Sequence, residues 1–251
     1  MCLVLFAYDP ESDCPLVVAA NRDEFYARPA HSAHFWEDNP LVLAGRDLSA
    51  GGTWLGVSRS GRFATVTNFA EEGPSEAPLS RGRLPERFLA FGHAAHDFAH
   101  HLEGFDYRGF NLLLWDGSSL VYTSNRGVTR DLEPGVYGLA NAELGATWPK
   151  VVRGCRALES VLRQGPTTKA LLEILADRSV PADEELPRRG RPLELERQVA
   201  PCFIAGDTYG TRASTAVIIE RDRVRFAEQE YGPSGVPGDC CAFEFRIDTG
   251  A

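Results

Sequence analysis

Apolar runs and turn-forming residues alternate from the start of the chain. Residues 3–8 and 15–20 are short apolar stretches separated by the turn-prone segment DPESDC, a pattern that predicts a β-hairpin. With the turn centred between Glu11 and Ser12, antiparallel pairing sets Val4 across from Ala19 and Cys2 across from Asn21, a register open to a slip of a residue or two. Strands are expected again at 41–44, 54–58 and 63–69. A helix follows over 82–102, with Leu84, Phe88, Phe91, Ala95, Phe98 and Leu102 on one face and His93, His96 and His100 on the opposite one. Further strands read at 111–115, 120–123 and 136–141, bounded by Gly, Asp or Asn turns. Thr147 with Pro149 behind it marks a helix start that runs to Leu162, and a second helix covers 168–176. The Pro- and charge-rich stretch 177–198 reads as a long surface loop or lid. Strands at 202–205, 215–220, 224–230 and 242–247 close the chain.

Strands cluster at both ends and helices gather in the middle. That grouping predicts an α+β fold of antiparallel sheets covered by helices, not an alternating parallel sheet. The 251 residues are read as one domain, 1–251. A net charge of -9 argues against nucleic acid or an anionic membrane as partner, since phosphates are repelled on average. No run approaches the roughly 20 apolar residues of a membrane span. The first apolar run lacks the basic lead-in of a signal peptide, so the expectation is a cytoplasmic protein. The 6 cysteines are spaced too irregularly for a metal framework, and disulfides are not expected.

The candidate chemistry starts at Cys2. Methionine before so small a residue is normally trimmed, which predicts a chain beginning at Cys2, where one residue carries both a thiol and a free α-amine. An amine near pKa 7.7–8.0 suits a thiol near 8.5 as general base. The hairpin brings this residue beside the polar cluster Asn21, Arg22, Asp23 and Glu24, where Arg22 can depress the thiol's pKa and Asn21, Asp23 or Glu24 can orient the amine. A half-buried strand thiol beside a solvated turn is the plainer reading. Asn141, at a strand end, offers a side-chain amide to a developing oxyanion, or forms a turn. Arg212 precedes an apolar strand and can clamp a carboxylate or phosphate, or anchor Asp207 or another acid. GGTW supplies two glycines whose backbone can approach a ligand, with Trp54 as a flat wall, or a plain hairpin turn with a core Trp. Asp47 and Asn68, at strand ends, are further candidates of the same kind. The histidine face is read as solvated, with no metal site; His31 and His34 are placed in a loop.

The blocks MC, AANRDEFYARP, FW, LAGRDL, GGTWLGVS, GRFATVTNF, SRG, GFNLLLWDG, YGLANAELGATWPKV and YGTRASTAVII together resemble the NRDE-motif family, also called the transport and Golgi organisation family, over nearly the whole chain. The resemblance implies an N-terminal-nucleophile hydrolase-like fold, four layers in αββα order with two stacked antiparallel sheets. It further implies Cys2 as nucleophile, Asn141 as the oxyanion Asn and Arg212 as the late Arg of cysteine acylases. At the second strand the pattern departs: Asn21 falls where the acylases carry Arg, and Glu24 where they carry Asp. The function implied is a hydrolase or acyltransferase acting on a small-molecule amide or thioester, with no cofactor required. The alternative implied is a non-catalytic carrier of haem or an acyl-CoA or lipid that uses the same cleft.

Overall fold

The computed structural model describes residues 2–71 and 77–248. The first part of the chain forms β1 (Cys2–Tyr8), β2 (Leu16–Phe25), β3 (Ala30–Phe35), β4 (Val42–Asp47), β5 (Leu55–Ser58) and β6 (Phe63–Asn68). Two helices, α1 (Arg83–Phe91) and α2 (Ala95–His100), lead into β7 (Phe110–Trp115), β8 (Leu120–Ser124), β9 (Arg130–Asp131) and β10 (Gly135–Leu139). Helices α3 (Pro149–Gln164), α4 (Thr168–Leu175) and α5 (Leu193–Val199) precede β11 (Tyr209–Ile219), β12 (Arg223–Tyr231) and β13 (Pro237–Arg246).

These strands make two antiparallel sheets, ordered β10-β1-β2-β11-β12-β13 and β3-β4-β5-β6-β7-β8-β9. The alternation of side chains along β1 and β2 explains the layering. Val4, Phe6, Leu16 and Val18 face the second sheet, where they meet Leu43, Val57, Phe63 and Leu113. Leu3, Leu5, Val17 and Ala19 face the other way, onto Val151, Leu158, Leu171 and Leu175 of α3 and α4. The outer face of the second sheet is covered by Leu84, Phe88 and Phe98 of α1 and α2. The result is the αββα sandwich expected from the sequence.

Several local expectations are corrected. The helix read over 82–102 is two helices, because Gly92 takes a left-handed conformation at φ 67° and ends α1, leaving Phe91 69% exposed instead of on the apolar face. His31 and His34 lie on β3, not in a loop; polar alternation on an outer strand hid it. Residues 202–205 are not a strand, although Phe203 and Ile204 are held by hydrogen bonds to the Asp177 carbonyl and the Thr211 hydroxyl. The stretch 177–198 is more than a loop: it carries a 3-10 turn at Asp183–Glu185 and most of α5, tied down by the buried Arg189–Glu196 ion pair. The hairpin register is one residue away from the expectation, with Val4 opposite Ala20 and Cys2 opposite Arg22. Among the described residues no helix is long and apolar enough to cross a membrane.

Candidate functional site

The one-residue shift decides the site. A change of one in strand register exchanges the two faces. Cys2 and Arg22 therefore share the inner face, with Val4 and Ala20, while Asn21 and Asp23 follow Ala19 onto the rear face. Across the sheet β11 carries a bulge: Thr211 pairs with Asp23 and Ala213 with Arg22, so Arg212 is the extra residue.

At this end of the sandwich a polar cleft of about 140 Å³ opens, lined by Cys2, Arg22, Asp23, Glu24, Asp47, Trp54, Asn68 and Arg81 among others. Asp47 organises one wall. Its carboxylate accepts from Arg22 at 3.0 Å and from Arg28 Nε at 2.6 Å, and the backbone amides of Ser49 and Ala50 donate to it as well. Burial works against this charge, yet the Arg28 hydrogen bond and its neighbours hold the carboxyl below its ordinary range. The Arg22 guanidinium also stacks on Trp54 with 4.2 Å to the ring centroid. Trp54 reaches this position because residue 45 is glycine: a Cβ there would stand 2.3 Å from the indole. Of the two GGTW glycines, Gly52 packs against another loop. A Cβ on Gly52 would stand 2.3 Å from the Gly82 carbonyl carbon, and Thr53 N donates to the Gly82 carbonyl, so the two loops lock together.

Cys2 is half-buried, and its backbone nitrogen donates to Asn141 Oδ1 at 3.2 Å. The Asn141 amide nitrogen donates in turn to the Asn68 carbonyl at 2.7 Å. Burial pushes the Cys2 thiol up, opposed by the Asp23 backbone amide and by Arg22. Burial thus disfavours the thiolate, and the thiol needs a base to react. Met1, whose removal the sequence reading requires, lies outside the described residues.

The rear face is a buried polar network. Asn21 donates to the carbonyls of Leu175 and Cys202 at 3.0 and 2.9 Å and accepts from the Ser214 hydroxyl at 2.6 Å. It is a strut between β2, β11 and the end of α4, outside the cleft. Asp23 accepts from the Thr211 hydroxyl at 2.8 Å. Burial pushes its carboxyl up, and Lys150 is among the groups that oppose this. Lys150 is itself buried, donates to the Val199 carbonyl at 3.1 Å, and has its pKa lowered by burial. Arg212 is directed at the carbonyls of Phe25 and Arg28, not at Asp207, and does not line the cleft. Glu24 does line it, with Oε1 accepting from the Phe25 amide.

Of the candidates read from the sequence, the fold therefore gathers Cys2, Arg22, Glu24, Trp54, Asn68 and Asp47 at one cleft, with Asn141 bonded to Cys2; Asp23 borders the same cleft while its carboxylate bonds to Thr211 on the rear side. It sets Asn21 and Arg212 outside. Sequence reasoning missed Arg81 and Lys150, although both lie in quoted blocks, SRG and ATWPKV; lysines number only two in the chain, and a lone Lys inside a helix was a usable signal. The histidine face is exposed, and no group of three metal-binding side chains occurs among the described residues.

A four-layer αββα sandwich of two stacked antiparallel sheets is the N-terminal-nucleophile hydrolase-like fold. Solved structures agree on the fold. A C2A mutant of the conjugated bile acid hydrolase from Clostridium perfringens superposes with a TM-score of 0.55 at 9% identity, covering 97% of this chain and 92% of that one. A Caenorhabditis elegans ortholog of N-acylethanolamine-hydrolyzing acid amidase gives 0.53 at 10% identity, covering 86% and 92%. Within the class the chain belongs to the Transport and Golgi organisation 2 family, whose profile matches residues 1–233. The Bos taurus Transport and Golgi organization protein 2 homolog is 34% identical over 99% of this chain and 100% of its own length. The Homo sapiens homolog is 34% identical over 91% and 92%.

Proposed function

We propose that the protein is a cysteine N-terminal-nucleophile-type hydrolase or acyltransferase acting on the amide or thioester of a small molecule, with Cys2 as nucleophile. The observation that carries this reading is the 3.2 Å hydrogen bond from Cys2 nitrogen to Asn141 Oδ1, at a cleft that Cys2 itself lines. Cleavage of the Met1–Cys2 bond turns that nitrogen into an α-amine already held by an acceptor. The amine takes the thiol proton, and the sulfur attacks the carbonyl carbon of the substrate. The carbonyl π electrons move onto oxygen, for which the remaining Asn141 amide hydrogen and the Asn68 side chain are candidate donors. Collapse expels the leaving amine or thiol with the proton from the ammonium and leaves an acyl-cysteine. Water, deprotonated by the same amine, releases the acid; a second nucleophile in its place gives transfer. Arg22 and Asp23 set the charge around the sulfur, and Glu24 stands at the cleft wall. That two fold neighbours are named as hydrolases of conjugated bile acids and of N-acylethanolamines supports the reaction class.

A second reading, a non-catalytic carrier of haem or of an acyl-CoA or lipid, has its own support. A groove of about 770 Å³ lined by Phe25, Leu195, Val199, Pro201, Phe203 and Tyr209 begins one residue beyond Glu24. Incubation with a panel of acyl amides, acyl-CoA thioesters and haem separates the two readings. The hydrolase reading expects an acyl group on the peptide containing Cys2 and turnover lost in Cys2→Ala. Stoichiometric ligand retention, equal in Cys2→Ala and the parent with no adduct, favours the carrier.

A further inference from the structure

The arginines of the cleft are not equivalent. Arg22 and Arg28 share the Asp47 carboxylate, and Glu24 lies 3.9 Å from Arg28. Asp23 is engaged by Thr211 on the rear side. Arg81, half-buried at the same cleft, has none of this: among the described residues its guanidinium donates to one acceptor, the Gly109 carbonyl at 3.1 Å, and makes no ion pair. Burial lowers its pKa, and the neighbouring Arg108 adds to the effect. Glu71 and Glu24 oppose this from a distance, without an ion pair to Arg81 among the described residues, so burial of the guanidinium is only partly compensated and a bound oxyanion would offset the remaining cost. The position is also rigid. Arg81 stands beside Gly82, whose carbonyl is locked against Gly52 and Thr53, and the Gly109 carbonyl that it meets is shared with the Phe69 amide.

We propose that Arg81 is a specificity-determining residue of the Cys2 cleft that receives a carboxylate, so that the preferred small-molecule amide or thioester carries a carboxylate near the scissile carbonyl. This rests on the proposed function for its catalytic meaning, but not for its binding meaning. The planar fork of the guanidinium matches a carboxylate with two parallel hydrogen bonds. Among the described residues the acids that line the cleft are bonded elsewhere, Asp47 to Arg22 and Arg28, Asp23 to Thr211 and Glu24 to the Phe25 amide, so none of them occupies the Arg81 fork. Neutral substrates leave it unpaired.

Alkylation of Cys2 tests this without any knowledge of the substrate. The thiolate displaces iodide from iodoacetate or from iodoacetamide by the same step, and the two reagents differ in a carboxylate against an amide. The ratio of their rates at Cys2, read by mass on the N-terminal peptide, cancels any change in thiolate population. The ratio is expected to fall about fivefold in Arg81→Gln, the effect of one charge across water-like surroundings, and to recover in Arg81→Lys. Acetate is expected to protect Cys2 from iodoacetamide in the parent and not in Arg81→Gln. A ratio unchanged in a folded Arg81→Gln overturns the proposal, and so does protection by inorganic phosphate but not by acetate. Failure of the hydrolase reading looks different: no acyl adduct forms on Cys2, while the alkylation ratio still depends on Arg81.

Discussion

Two faces of the same four residues behave as different regions of the molecule. On the inner face of β2, Arg22 meets Cys2, Asp47 and Trp54 at a cleft open to solvent. On the rear face, Asn21 and Asp23 are 1% and 3% exposed and bond into α4, β11 and the segment after α5. Front and rear are equally polar in sequence. The front groups stand at the cleft beside Cys2, and Asn21 at the rear is bonded wholly into the fold. Polarity at a strand end thus marks a site only when the strand's pleat turns it toward a cavity.

Substitutions sharpen the contrast. The largest effect belongs to the front: Cys2→Ala is expected to cut acyl transfer by 10³-fold or more, on the order seen when a nucleophile is removed, with the melting temperature little changed. Asn141→Ala removes the acceptor of the Cys2 nitrogen and a candidate oxyanion donor, at about 3 kcal/mol of barrier and so roughly a hundredfold in rate. At the rear, Asn21→Leu leaves the carbonyls of Leu175 and Cys202 and the Ser214 hydroxyl without their partner, for a loss of about 3 kcal/mol in denaturant-measured stability. Thiol reactivity per folded molecule should hardly move. The contrast breaks if Asn21→Leu folds normally and loses activity instead.

A smaller, pH-dependent effect comes from Glu228, which lies between the sheets and accepts from the Ala33 amide at 2.7 Å and the Thr215 hydroxyl at 3.0 Å. Burial raises its pKa to about 7 from an ordinary value of 4.5. The folded state therefore binds this proton more tightly than the unfolded one, and stability falls as pH rises between those two values. The parent should lose up to about 3 kcal/mol across that window. Glu228→Gln should flatten the dependence and be the more stable form at pH 8 by denaturant titration. Smallest of all, the double substitution His96→Ala and His100→Ala should stay within about 0.5 kcal/mol of the parent, since both side chains are exposed.

Much of this was legible in the chain. Alternating apolar runs at β1 and β2, together with the block pattern, led to the two-sheet sandwich, and the hairpin led to a thiol beside the Asn-Arg-Asp-Glu cluster. The register was the weak point. DPESDC allows more than one turn geometry, and a shift of one residue moved Arg22 into the cleft and Asn21 out of it. Arg212 was unreadable for a similar reason, because a bulge re-aims a side chain without any sequence mark of its own. Arg81 was hidden by distance: its place beside Cys2 depends on the Gly52–Gly82 contact between segments that strand and helix periodicity treat separately.

At the heart of the proposed mechanism, one residue supplies both nucleophile and base. The decisive comparison is between two forms of the protein, one with Met1 removed and one with Met1 retained, each followed for the rate at which Cys2 is acylated by the same thioester. Rapid acylation is expected only in the form that begins at Cys2, rising through the pH range where its α-amine loses a proton. Equal rates in the two forms would contradict the mechanism.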